Sequence, residues 1–239
     1  MDNDTRTSGD IDVTAGRVNQ EAGFSILQFT GNTTNDQTIA HGLTEAPEFM
    51  IAIAQDNGNS IPVWHSAAPG APTNGTGLLN SPSELNMTHV DASDDEFFTI
   101  SGNGAINSGT VSMYLWHSVP GYSAFGRYQG NSGGGGEDGV FVYLGFKPRL
   151  LIIKRSDATD GDWVVLDTTR EPSNPNNNWL QFNSQMGESS PANNDVDFLC
   201  NGFKVRSGAV ALCQNAPYLY MAWAANPFGG SNTVPTTAH

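Results

Sequence analysis

The sequence predicts an all-β fold of two tandem β-sandwich repeats, jelly-roll-like in their short strands and tight turns. Three observations carry this. Apolar and aromatic runs are only as long as strands. Gly and Asn punctuate them, and charged residues are sparse at 14%, which suits tight turns better than exposed helices. One order of blocks is also written twice, the signature of a repeat. The first copy begins GFSILQFTGN at Gly23 and the second GYSAFGRYQGN at Gly121. Phe29-Thr-Gly31-Asn32 matches Tyr128-Gln-Gly130-Asn131. Pro47 and Pro148 each open an apolar run, APEFMIAIA and KPRLLIIKR. Trp-bearing strands follow at Trp64 and Trp163, and the copies close on MYLWHSVP and YMAWAANP, aligning Trp116 with Trp223.

In chain order, residues 1–22 read as an arm or linker, with only Ile11 and Val13 to recommend a docking strand. Residues 23–120 form repeat 1. Phe24–Phe29, Phe49–Ala54, Ile61–Ser66, Phe97–Ile100 and Val111–His117 are its main strands, with a hairpin loop at Asn57-Gly58 and an acidic turn at Asp91–Glu96. Residues 121–230 form repeat 2, with strands at Val140–Leu144, Leu150–Lys154, Trp163–Leu166, Val196–Cys200, Phe203–Arg206, Ala209–Cys213 and Tyr218–Ala224. Asn201-Gly202 reads as a type I′ hairpin turn. The glycine run 132–136 is a flexible insert: no helix and no Lys-Ser/Thr follows it, so it is no phosphate loop. Residues 231–239 are a polar tail. About seven short strands per copy is sandwich spacing.

Charge narrows function. The net charge is −14, which disfavours binding to a phosphate backbone or an anionic membrane surface. No apolar run approaches the roughly 20 residues of a membrane span, and the polar N-terminus is no signal peptide. Cys200 and Cys213, the two cysteines, make no disulfide framework. A pair of buried thiols is expected over a cross-strand bond.

Reactive chemistry is weakly signalled. The five histidines lack metal-ligand spacing, though His65 and His117 each follow a Trp on strands that a sheet can bring together. Asp157–Asp162 and Asp91–Glu96 have the oxygen density of a Ca²⁺ loop without its distal Glu, so acidic turns are expected there. Glu171 with Asp167, or Asp195 with Asp197, would serve glycoside cleavage only if they faced each other across a groove. No nucleophile elbow is present. No catalytic residue, metal or cofactor is expected. Trp64/Trp163 and Trp116/Trp223 are expected to anchor the two cores. Trp179, after Asn176, Asn177 and Asn178, is the candidate ligand or subunit contact. Its ring would stack on a sugar flanked by amide donors, or pack at an interface; packing is the preferred reading. Pro69–Gly77 and Glu171–Asn178 are candidate contact loops.

The phrases GFSILQFTGN, IAHGLTEAPEFMIAI, YLWHSVPGYSAFGRYQGN, YLGFKPRLLIIKR, DFLCNGFKVR and YLYMAWAANPF, taken as a set, resemble a repeat domain of tail-fibre and other virion-appendage proteins of tailed bacteriophages, notably marine ones. The likeness covers Gly23 to Phe228. It implies a non-enzymatic virion protein at the phage tail or capsid periphery, made in the host cytoplasm. It would be a homo-oligomer, with a trimer favoured, among other virion proteins, and it would contact the host surface, where a glycan is one candidate partner and the receptor is left open. A carbohydrate-binding lectin-like module, a capsid-decorating protein and a glycan depolymerase are the alternatives. The short arm departs from the long extended segments of typical fibres.

Overall fold

A computed structural model describes residues 5–56, 60–131, 138–190, 195–206 and 211–227. The Asn57-Gly58 turn, the glycine run and the C-terminal tail lie outside the described residues. Among the described residues all seventeen elements are strands. The chain divides into two compact units, Met1–Ser81 with Leu85–Ser118, and Pro82–Glu84 with Val119–His239.

In the first unit, β1 (Val13–Asn19), β2 (Phe24–Asn32), β4 (Phe49–Ala54), β5 (Pro62–His65), β6 (Thr76–Leu78) and β9 (Ser108–Trp116) form a sheet ordered β1-β2-β9-β4-β5-β6. The strands β3 (Gln37–Ala40), β7 (Val90–Ser93) and β8 (Phe97–Ile100) form a smaller sheet, β3-β8-β7. The two sheets face each other over one apolar core, in which Leu27, Phe29, Met50, Trp64, Met113 and Leu115 of the large sheet meet Ile39, Val90, Phe98 and Ile100 of the small one. Trp64 meets Phe98 edge-on at 5.3 Å. This is an antiparallel sandwich, with inward side chains alternating along each strand.

The second unit repeats the plan without a counterpart of β1. β10 (Ser123–Gln129), β12 (Pro148–Arg155), β13 (Trp163–Asp167), β14 (Leu180–Gln181) and β17 (Pro217–Ala224) are ordered β10-β17-β12-β13-β14. β11 (Phe141–Tyr143), β15 (Val196–Leu199) and β16 (Gly202–Val205) are ordered β11-β16-β15. In each copy the strand that opens the repeat pairs with the last, and the next pairs with the last but one, so the pairing is nested. Registers repeat as well: Phe24, Trp116, Phe49 and His65 lie in one row across four strands, and Ser123, Trp223, Leu150 and Asp167 form the matching row.

The paired glycines have a physical reason. A Cβ on Gly31 would stand 2.2 Å from the Asn107 carbonyl carbon, and one on Gly130 would stand 1.9 Å from the Gln214 carbonyl oxygen. In each copy the segment before the last strand crosses the opening strand at backbone contact, where only glycine fits.

Besides the strand expected at Ala209–Cys213, whose described residues 211–213 form a turn, four expectations change. The first is Trp64 with Trp163, which do not match. Three residues after Pro47, Met50 pairs with Trp64; three residues after Pro148, Leu151 pairs with Leu166. Trp163 pairs with Lys154 and lies on the opposite face. Trp116 and Trp223 match in register but also sit on outer faces, so the tryptophans inside the cores are Trp64 and Trp179. Second, the hairpin turn is Cys200-Asn201, closed by the pair Leu199 and Gly202. Gly202 belongs to β16, because a Cβ there would strike the Val142 carbonyl oxygen at 2.0 Å. Third, Cys213 is buried but Cys200, in that turn, is exposed, and both thiols are free.

Finally, residues 5–22, expected as an arm, belong to the first unit. Asp10 and Ile11 cap the small sheet: Ile11 N–H donates to Thr38 O at 3.1 Å, and the Asp10 carboxylate accepts from Thr38 N–H and Oγ1 at 3.1 and 2.7 Å. The chain then turns through the Arg6–Val13 bridge and runs as β1 along the large sheet. Ile11 and Val13 are buried in the core. Truncating Ile11→Ala is expected to cost about 2 kcal/mol or more, the price of a buried aliphatic deletion. Urea unfolding followed at the Trp64 core reads it; a loose arm would show no change.

Candidate binding surface

The residues singled out from sequence are built into the fold's interior bonding. Trp179 is 4% exposed and packs in the second core. Its backbone N–H and C=O are both bonded to Ser189. Asn176 is buried, and its Nδ2 donates to Asp167 O at 3.0 Å and Glu171 O at 2.9 Å. Asn177 Nδ2 donates to Asp195 Oδ1, and Asn178 Oδ1 accepts from Ser190 Oγ. The Glu171 carboxylate takes the N–H groups of Asn177 and Asn178 at 2.7 and 2.9 Å. These amides hold the Glu171–Asn178 loop in place, and the Trp179 ring offers no open stacking face.

The acid pairs are equally engaged. Asp167 holds Thr169 N–H, Arg170 N–H and Arg170 Nε, while Asp197 pairs with Arg206 at 2.6 Å. His65 and His117 do not meet: β4 runs between their strands, and the Phe49 ring separates Trp116 from His65. No group of three or more His, Cys, Asp or Glu side chains is placed for a metal among the described residues.

The acidic loop Asp157–Asp162 already has a cation. Lys154 is buried, and its ammonium donates to Arg155 O at 2.7 Å and Pro82 O at 3.0 Å, 5.8 Å from the Trp163 ring centre. Burial pulls its pKa down to about 8, while Asp162, Asp157 and Asp160 pull it up. The Asp162 carboxylate also binds Gln181 and Asn183. In the other acidic turn, Asp94 Oδ1 accepts from Glu96 and Phe97 N–H, an Asx turn. The Asp94 carbonyl meets His41 Nε2 at 3.0 Å, and His41 Nδ1 accepts from Leu43 N–H. That geometry demands the neutral ring protonated on Nε2, and burial lowers the His41 pKa.

The open chemistry lies elsewhere, on the outer face of the second unit's small sheet. Phe141 and Tyr143 alternate with buried Val142 along edge strand β11 and are 44% and 64% exposed. Across from them on β16 stand Lys204 and Gly202. Gly202 itself is buried against the β11 backbone. Lys204 pairs with Asp138 at 3.1 Å, and Asp197 with Arg206 fills the next column. The face therefore offers two aromatic rings beside a strip of donors and acceptors, the composition that receives a flat amphipathic ligand. Sequence reading passed over it because Phe-Val-Tyr reads as core until the pairing shows which side points out.

Fold and surface together define an all-β tandem-sandwich protein with an exposed aromatic face. The chain belongs to the family described as a domain of unknown function, DUF7483, whose model matches residues 2–227. No curated protein and no solved structure matches it.

Two pH dependences follow. The unfolded-state pKa of Lys154 lies near 10.5 and the folded one near 8, so folding gains stability as pH rises between them. Between pH 7.5 and 9.5 the urea midpoint of the wild type should rise relative to Lys154→Met; parallel curves would refute it. At the acid end, His41 binds its proton less readily when folded, so stability is full above about pH 6.5 and falls as the pH drops below it. Thermal unfolding at pH 7.5 and 5.5 should show a larger loss for the wild type than for His41→Gln, with His89, also lowered by burial, contributing the remainder.

Proposed function

We propose that the chain is a non-enzymatic structural and attachment protein of a phage virion appendage, carrying a glycan-binding face on stiff tandem sandwiches. The observation that supports it most is the Phe141–Tyr143 pair, exposed on a strand whose other side is locked into the core. Large apolar side chains held in water are kept for contact. The resemblance of the repeated phrases to virion-appendage domains supplies the setting. The acidic surface suits a particle-borne protein that must stay soluble at high local concentration. Assembly as a homotrimer with other virion proteins belongs to the same reading.

A free lectin-like module is the second reading, favoured by the same aromatic pair. Location separates the two, and imaging particles with a label on this chain decides it. The binding claim is tested on a glycan array with the full chain. Tyr143→Ala should lower affinity for the retained glycan about tenfold or more, about 1.4 kcal/mol, with solution mass and unfolding midpoint unchanged. Binding that survives in the double variant Phe141→Ala/Tyr143→Ala would refute this surface, and a monomeric mass by light scattering would refute the trimer.

A further inference from the structure

The two units differ in one respect that the repeat makes measurable. In the first, a single extended segment closes one side of the sandwich: Asp10 and Ile11 bond the outer edge of β3, and β1 bonds the outer edge of β2. In the second, the equivalent strands β11 and β10 are the edges of their sheets. The register makes the comparison residue-specific. Ile39 pairs with Phe98 and Val142 with Phe203, all four inward, so Phe141 stands where Thr38 stands. Val140 O accepts from Val205 N–H and Leu144 N–H donates to Asn201 O, so these residues face β16. By alternation, the N–H and C=O groups of Phe141 and Tyr143 point away from the sheet. Among the described residues nothing bonds them, whereas both outward groups of Thr38 are bonded by Asp10 and Ile11.

We infer that the β11 edge takes an extended segment of another polypeptide by strand addition, in the way residues 10–11 cap β3. An exposed row of unpaired backbone groups is a template for another strand. The first unit shows the chemistry that fits. A carboxylate receives the outward N–H, and the next residue, aliphatic, donates its own N–H to the outward C=O. The partner is therefore a segment of Asp-aliphatic type. Its negative charge is matched by Lys204, which stands across from Phe141 and, among the described residues, is paired with the solvent-exposed Asp138. The chain's own residues 10–11 are engaged within their own unit, so the donor is a different protein. This inference rests on main-chain register and not on the glycan reading, which uses the side-chain rings.

The test uses the full chain with a synthetic peptide of residues 5–20 as the probe, and amide hydrogen exchange as the readout. Phe141 and Tyr143 amides should exchange fast in the free chain and become protected when the peptide is added, while Val142, already bonded to β16, stays unchanged. Phe141→Pro removes the outward N–H and leaves the β11–β16 bonds intact, as proline on an edge strand allows; it should weaken the peptide about tenfold or more. A peptide carrying Ile11→Pro, which lacks the N–H that reaches the outward C=O, should not bind. Tyr143→Ala keeps the amide, so it should spare peptide protection while it weakens the glycan, and the two readings fail separately. Protection already present in the monomer overturns the inference. So does protection that grows with protein concentration alone, which would make a second copy the occupant. Peptide binding that survives Phe141→Pro overturns it too. The exchange measurement needs no variant.

Discussion

The structure depends on the closure of sheet edges. A sandwich hides its side chains between two sheets, but each sheet still ends in a strand whose alternate N–H and C=O groups have no neighbour. Nested pairing answers part of this. The strand that opens each repeat is locked beside the last, as β2 beside β9 and β10 beside β17, so the chain returns on itself before it leaves. The glycine at the end of each opening strand permits that return, since the incoming segment touches backbone there. Losing that contact would loosen the β2–β9 or β10–β17 pairing that joins the two ends of the repeat.

Nested pairing leaves one side open, and the two copies treat it differently. The first spends residues 5–19 on closing it; the second, beginning within a few residues of the first unit's last strand, has no such length of chain before β10. Duplication of a strand plan therefore did not duplicate its edge protection. The same asymmetry explains the side chains. Thr38, beneath its cap, is a hydroxyl that bonds Asp10. Its counterpart Phe141 is a half-exposed ring, at home only where something else covers it or where it does the covering.

Much of this was legible in the sequence. Strand-length apolar runs, the Phe/Tyr-x-Gly-Asn pairs and the two prolines place the repeat correctly, because they mark backbone geometry that both copies share. What misled was matching by residue type. Trp64 and Trp163 look equivalent, yet a strand's side chains alternate, and a displacement of three residues sends Trp163 to the other face. Asn201-Gly202 has the composition of a turn, but Gly202 is a glycine because β11 crowds it. β1 escaped notice because Thr14, Ala15, Gly16 and Arg17 carry no strand pattern; it is a strand because β2 offers it an edge. Trp179 drew attention by its Asn-rich preface, whose amides turn out to be spent on the loop's own carbonyls and carboxylates.

The exposed aromatic face was invisible to composition for a related reason. Phe141-Val142-Tyr143 is three apolar residues, and nothing local says that only the middle one is buried. Pairing with β16 says so, since Val142 lies opposite the inward Phe203. Polar groups elsewhere follow a consistent rule. The carboxylates of Asp94, Asp162, Asp167 and Glu171 each hold two or more donors of their own unit, and Lys154 is drawn toward the acidic Asp157–Asp162 loop. Side chains committed in this way lock loops. The β11 edge and its two rings have no such commitment within the described fold, and that sets them apart from the residues that lock loops.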